Sequence, residues 1–77
     1  MTIGESIRDK RLRMGITQKA LAEKMYVSGK NTVGLWERDE ATPTIYNLCD
    51  LADIFGVTLD ELVGRRAGKR KAAGSDF

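Results

Sequence analysis

Histidine is absent from the 77 residues, cysteine and proline occur once each, and aromatic residues make up 6%. A lone Cys49 excludes an internal disulfide. With no imidazole and one thiol, a four-ligand zinc site of the Cys/His type lacks its ligands. A reduced compartment fits such cysteine usage. No apolar run approaches the roughly 18–20 residues that span a bilayer. The start, MTIGESIRDKR, has no apolar core of the signal-peptide kind. The expected location is therefore the cytoplasm, with no membrane partner. Catalysis is poorly served too. No histidine is available as a base, no nucleophile stands beside one, and so short a chain encloses no sizeable cleft. The sequence predicts no enzyme, no cofactor, no metal and no small-molecule substrate.

What is present is charge, unevenly placed. Residues 1–64 hold eight Lys/Arg and ten Asp/Glu, a net of −2, whereas residues 65–77 hold five basic side chains and one acidic, a net of +4. The chain divides accordingly into a folded domain, 1–64, and a basic tail, 65–77. The tail, RRAGKRKAAGSDF, has no apolar periodicity and reads as disordered. Arg65, Arg66, Lys69, Arg70 and Lys71 suit either a nonspecific phosphate-binding arm or a solubilising tail. A polyanion partner would need the positive groups of 1–64 gathered on one face.

The apolar pattern of 1–64 is helical, with no strand pattern and no internal repeat. Thr2 and Glu5 have capping-box spacing ahead of a helix over Ile3–Met14, whose stripe is Ile3, Ile7, Arg11 and Met14. Gly15 supplies a left-handed exit. Thr17 caps a second helix, Gln18–Met25, with Leu21, Ala22 and Met25 inward. A third runs from Gly29 or Lys30 to Arg38, with Ser28 as its cap. On a helical wheel Gly29, Val33, Trp36 and Glu37 share one side, and Asn31, Gly34, Leu35 and Arg38 the other. A fourth starts at Pro43 or Thr44 and ends at Phe55, with Ile45, Leu48, Cys49, Ala52 and Phe55 inward. A fifth, Leu59–Val63, has the Thr58/Glu61 capping-box spacing and ends at Gly64. The fold expected is all-α, five short helices in one compact domain.

The second and third helices are too short to be stable alone. Held at an angle on a common core, the third can project one side beyond the body. A helix with its side chains is about 10–12 Å across, and the major groove of B-DNA is about 12 Å wide. Val33 and Trp36 would brace such a helix from behind. The Ser28–Thr32 stretch SGKNT does not belong to a phosphate-binding loop, because the glycine required five residues before Gly29 is Lys24.

Three blocks, IRDKRLRMGITQKALAEKM, TVGLWERDEATP and LADIFGVTLDELVG, occur in order. Through them Ile3–Gly64 resembles the Cro and lambda-repressor type of helix-turn-helix domain, the XRE-like family. The resemblance implies a lambda-repressor-like fold and a bacterial or bacteriophage regulator of transcription that binds double-stranded DNA. It places Lys30, Asn31, Gly34 and Leu35 where base edges are read. Gln18 corresponds to the family's phosphate-binding glutamine, and Lys19, Thr32, Arg38 and Arg13 are further phosphate candidates. It also implies an internal ion pair between Arg11 and Glu37. The interval from Gln18 to Glu37 is one residue longer than the family's, with the insertion placed within YVSG. Anchoring on TVGLWE gives the outward set above; anchoring on Ser28 brings Gly29 and Lys30 forward instead. Glycine at 34 removes a base contact or permits close approach to the groove wall.

Phe55, Leu59, Leu62 and Val63 exceed what so small a core needs and are the candidate contact of a homodimer, formed on DNA if not before. The half-sites would then lie about 34–36 Å apart or a multiple of that. A second reading stays open: the same fold used as a protein-interaction module, antitoxin-like or polymerase-contacting. The acidic balance of 1–64 and the weak surface at Gly34 keep it open. Trp36 reads as core rather than as a stacking platform, and Cys49 as a small buried hydrophobe.

Overall fold

The computed structural model describes residues 1–27 and 31–64. Five helices follow one another: α1 (Ile3–Met14), α2 (Gln18–Met25), α3 (Thr32–Glu37), α4 (Ile45–Phe55) and α5 (Leu59–Val63). No strand occurs among the described residues. A threonine hydroxyl opens four of these helices. Thr2, Thr17, Thr44 and Thr58 accept the backbone N–H of Glu5, Ala20, Asn47 and Glu61 at 3.0–3.1 Å. Glu5 and Glu61 return the bond to the backbone N–H of Thr2 and Thr58, both at 2.8 Å, completing two capping boxes. Each cap contributes about 1 kcal/mol. Such signals are decisive in helices of five to twelve residues, which have little propagation to rely on.

The core is Ile7, Leu21, Val33, Leu51 and Leu62, all fully buried, with Ala22, Met25, Trp36, Leu48 and Ala52 around them. Full burial of one such aliphatic side chain contributes about 1.5–3 kcal/mol. Every helix supplies at least one member. α1 packs on α3, α4 and α5, α2 packs on α3 and α4, and α5 closes against α4. The recognition-type pair α2 and α3 is thus clamped on α1 and α4.

Several expectations need correction. α4 begins after Thr44, not at Pro43, because the Thr44 hydroxyl is the cap and Pro43 lies buried ahead of it. Ile45 is 57% exposed and Cys49 is exposed, whereas Leu51 is buried. Leu51 shifts the apolar arc of α4 towards Leu48 and Ala52, leaving Ile45 and Cys49 on its edge. Met14 is exposed, since the inward stripe of α1 stops at Arg11 one turn earlier. The predicted start of α3 at Gly29 or Lys30, its Ser28 cap and the tail 65–77 lie outside the described residues.

Candidate nucleic-acid interface

The corner between α2 and α3 is built on one buried carboxylate. Arg11 Nε donates to Glu37 Oε2 at 2.6 Å and Arg11 Nη2 donates to Glu37 Oε1 at 3.1 Å, a two-pronged pair with both side chains buried. The third nitrogen, Nη1, donates to the Ile16 carbonyl at 2.8 Å and fixes the α1–α2 turn. Gln18 Nε2 donates to Glu37 Oε1 at 3.0 Å from the first turn of α2. One carboxylate therefore joins α1, α2 and α3. Bidentate geometry favours this use of arginine over lysine, because the fork fits the two oxygens in one plane.

A second tie holds the same C-terminal end of α3, just past Glu37, and escaped the sequence reading. Asp39 sits just beyond the helix with φ at 59°. Its carboxylate accepts the Thr2 hydroxyl at 2.7 Å and the Gly4 backbone N–H at 3.0 Å. An acidic group at the start of α1 also meets the positive end of the helix dipole. Gly4 makes the approach possible: a Cβ there would stand 2.3 Å from the Trp36 carbonyl oxygen and 2.8 Å from that of Glu37. The signal in the sequence was a glycine in the first turn of an otherwise good helix, which costs propensity and so asks for a packing reason.

The outer side of α3 is less uniform than the helical wheel suggests. Asn31 is exposed, with no capping hydrogen bond from its side chain. Leu35 is half-buried and Arg38 is exposed. Gly34 is buried rather than open. The place of its missing side chain is closed by Arg38 Nη1 and Gln18 Oε1, each 3.3 Å from an ideal Cβ. Lys30 lies outside the described residues, as does the alternative outward set beginning at Gly29. Among the phosphate candidates, Lys19 is exposed and Thr32 half-buried. Arg13 is exposed and donates from Nε to Asp9 Oδ2 at 3.0 Å, while Arg38 Nε donates to Glu40 Oε2 at 3.1 Å. Both are exposed surface pairs of small energetic weight.

The α2–α3 turn carries its own mark. Tyr26, which closes α2, takes the left-handed conformation at φ 57° and is 95% exposed. A residue with a Cβ is strained there by an amount of order 1 kcal/mol. Of the expected dimer contacts, Leu62 has to be withdrawn: it is fully buried in the monomer core, as the single residue of α5 on the inner face of so short a helix. Phe55, Leu59 and Val63 are half-buried around it. Phe55 also lines an open groove of about 350 Å³ with Met14 and Val57, rimmed by Asp9, Lys10 and Arg13.

Two helices braced at a corner, the second of them short, define a helix-turn-helix domain. The helix-turn-helix family model matches residues 7–62, and the chain belongs to that family. Among characterised proteins it is similar to the HTH-type transcriptional regulator ImmR of Bacillus subtilis, 32% identical over 71 residues, covering 92% of this chain and 55% of that one. It is also similar to the HTH-type transcriptional activator BcrR of Enterococcus faecalis, 33% identical over 63 residues, covering 82% of this chain and 30% of the relative. The chain thus spans about half the length of the first relative and less than a third of the second. Among solved structures it resembles the P22 c2 repressor protein in complex with synthetic operator 9T, with a TM-score of 0.75 and 33% identity, covering 82% of this chain and 94% of that one.

Proposed function

We propose that the chain is a sequence-specific, double-stranded DNA-binding regulator of transcription, repressor-like, with α3 in the major groove and α2 across the backbone. The observation that supports this reading most directly is the mounting of α3. Val33, Trp36 and Glu37 are buried on one side of a six-residue helix, and Asn31, Leu35 and Arg38 are left towards the other. Asn31 offers a donor and an acceptor suited to adenine N6 and N7, and Leu35 a surface suited to a thymine methyl. Lys30, from its place in the sequence, suits guanine. Gln18 and Lys19 begin α2, where backbone N–H groups are short of helical partners and favour phosphate. Thr32 and Arg13 supply further phosphate contacts in this reading. It needs no cofactor and no reaction. It places the protein in the cytoplasm; no described helix is long and apolar enough to cross a membrane. The functional unit is a domain over 1–64 with the basic tail 65–77 beside it, paired as a homodimer on a two-fold site.

The test is salt-dependent binding to duplexes selected from a random pool. Affinity should fall linearly in log salt, by about 0.9 per phosphate contacted. Asn31→Ala should lose about 1–3 kcal/mol of preference at one base pair per half-site. Lys19→Ala should weaken all duplexes alike and reduce the salt slope by about one. Retention of no duplex at low salt would overturn the reading and favour the protein-interaction module.

A further inference from the structure

Gly34 is the one position on the outer side of α3 with no side chain, and the structure fills that place from elsewhere. In a helix each Cα–Cβ bond tilts towards the N-terminus, so a long side chain at i+4 lies back over residue i. Arg38 does this over Gly34, its Nη1 3.3 Å from where a Cβ would be. Even an alanine there would crowd the guanidinium by a few tenths of an ångström. On the far side Arg38 Nε donates to Glu40 Oε2 at 3.1 Å. The guanidinium thus has Glu40 at its Nε edge and, at Nη1, the space over Gly34, which Gln18 Oε1 borders at the same 3.3 Å from that Cβ position. Its remaining N–H groups, on Nη1 and Nη2, form the fork that suits two acceptors side by side.

We propose that Arg38 is a base-reading residue, not a phosphate clamp: seated on Gly34 and aimed by Glu40, it recognises guanine through O6 and N7. The inference rests on the reading of α3 as the helix in the major groove. Three observations favour a base over a phosphate. A paired carboxylate offsets the charge that makes arginine attractive to a phosphate. The Glu40 bond and the space over Gly34 restrict the plane of the guanidinium, which matters for a planar two-acceptor target and little for a tetrahedral anion. The place it fills belongs to residue 34, a neighbour of Asn31 and Leu35 on the helical wheel, at the edge where α3 meets Gln18 of α2. Glu40 is then a positioning residue, and Gly34 contributes by having nothing to put in the way.

The full-length chain and its variants are tested by selection from a random duplex pool, followed by affinity measurements on the selected site and its single-base-pair substitutions. The wild type should require guanine at one base pair of each half-site, by roughly tenfold to a hundredfold. Arg38→Ala should abolish that preference and leave the other positions as they were. Gly34→Ala should lower it at the same base pair, and the Gly34→Ala/Arg38→Ala double variant should match Arg38→Ala alone. Glu40→Ala should lower the preference while raising affinity for random DNA, and Glu40→Gln, which still accepts from Nε, should restore the preference. Thermal melts verify that each variant is folded. Uniform weakening in Arg38→Ala, with the salt slope reduced by about one and every base preference intact, overturns the assignment and leaves the DNA-binding reading standing. So does an unaltered guanine preference in Gly34→Ala. Failure of the wild type to enrich any sequence overturns both.

Discussion

At the scale of single residues, the tightest constraint is at Gly4. A methyl group there would meet two backbone carbonyl oxygens, of Trp36 and Glu37, at 2.3 and 2.8 Å, and Asp39 Oδ1 at 2.7 Å. Backbone cannot swing aside as a side-chain end can, so α1 and α3 would have to separate. Gly4→Ala gains about 1 kcal/mol of helix propensity, but overpacking of this kind costs about 1–3 kcal/mol and upwards. A net loss of stability is expected in urea or thermal unfolding, and an alanine variant as stable as wild type would contradict the close approach. Residues at this scale also mark what a sequence conveys. Thr2 with Glu5 and Thr58 with Glu61 were legible because the two partners lie three apart and the bond is local. Asp39 and Gly4 were not, since a contact spanning 35 positions leaves no periodic trace. Cys49 was misread for a different reason: an apolar arc drawn without Leu51 points the wrong way.

Among the elements, α3 depends most on its neighbours, being six residues long with no hydrogen-bonding cap at its start. Its orientation is set by Glu37, held between Arg11 and Gln18. Arg11→Met should cost about 3–5 kcal/mol in a thermal or denaturant melt, because it leaves Glu37 buried with Gln18 alone. Replacing both charges, Arg11→Met with Glu37→Leu, should recover much of that loss. A melt unmoved by the single change would show that the pair is dispensable. The pairing itself came from family likeness, not from the pattern on α1, where an arginine in an apolar stripe has no local explanation. The bounds of α1 and α5 followed from threonines and glycines at their ends, and the start of α2 from Thr17. Those of α3 did not, because the extra residue near YVSG detaches its start from the usual spacing. α5 offers a pH test. Glu61 has its carboxyl lowered from the ordinary 4.5, first by accepting the Thr58 backbone N–H and then by the Thr58 hydroxyl. A lowered folded-state value means that the contribution is present above the unfolded pKa and disappears as pH falls through the folded one. Glu61→Gln should therefore differ most from wild type near neutral pH, and the two melting curves should converge in acid. A gap of constant size would exclude an ionised capping box.

The whole molecule has a face to spare. With Leu62 in the core, the expected contact between copies reduces to Phe55, Leu59 and Val63, all half-buried at the α4–α5 end. α3 packs against α1 and α2, whereas this end is formed by α4 and α5. A second copy could therefore join there without covering Asn31 or Arg38, which is the arrangement a two-fold DNA site requires. Linking two weak half-site contacts makes the second one effectively intramolecular and raises affinity by orders of magnitude without any new base contact. Val63→Lys places a charge in that patch without replacing a fully buried core residue such as Leu62. The variant should keep the affinity of wild type for a duplex with one half-site. It should lose about tenfold or more on a duplex with two correctly spaced half-sites. Its melt as a free protein at low concentration should stay near that of wild type, since a half-buried valine at the last position of a helix contributes little to the monomer. If Val63→Lys binds the two-site duplex as tightly as wild type does, either the copies meet through another surface or each half-site is occupied independently. Spacing variants of the duplex separate those outcomes: independent binding tolerates an inserted half-turn of DNA, and a contact between copies does not.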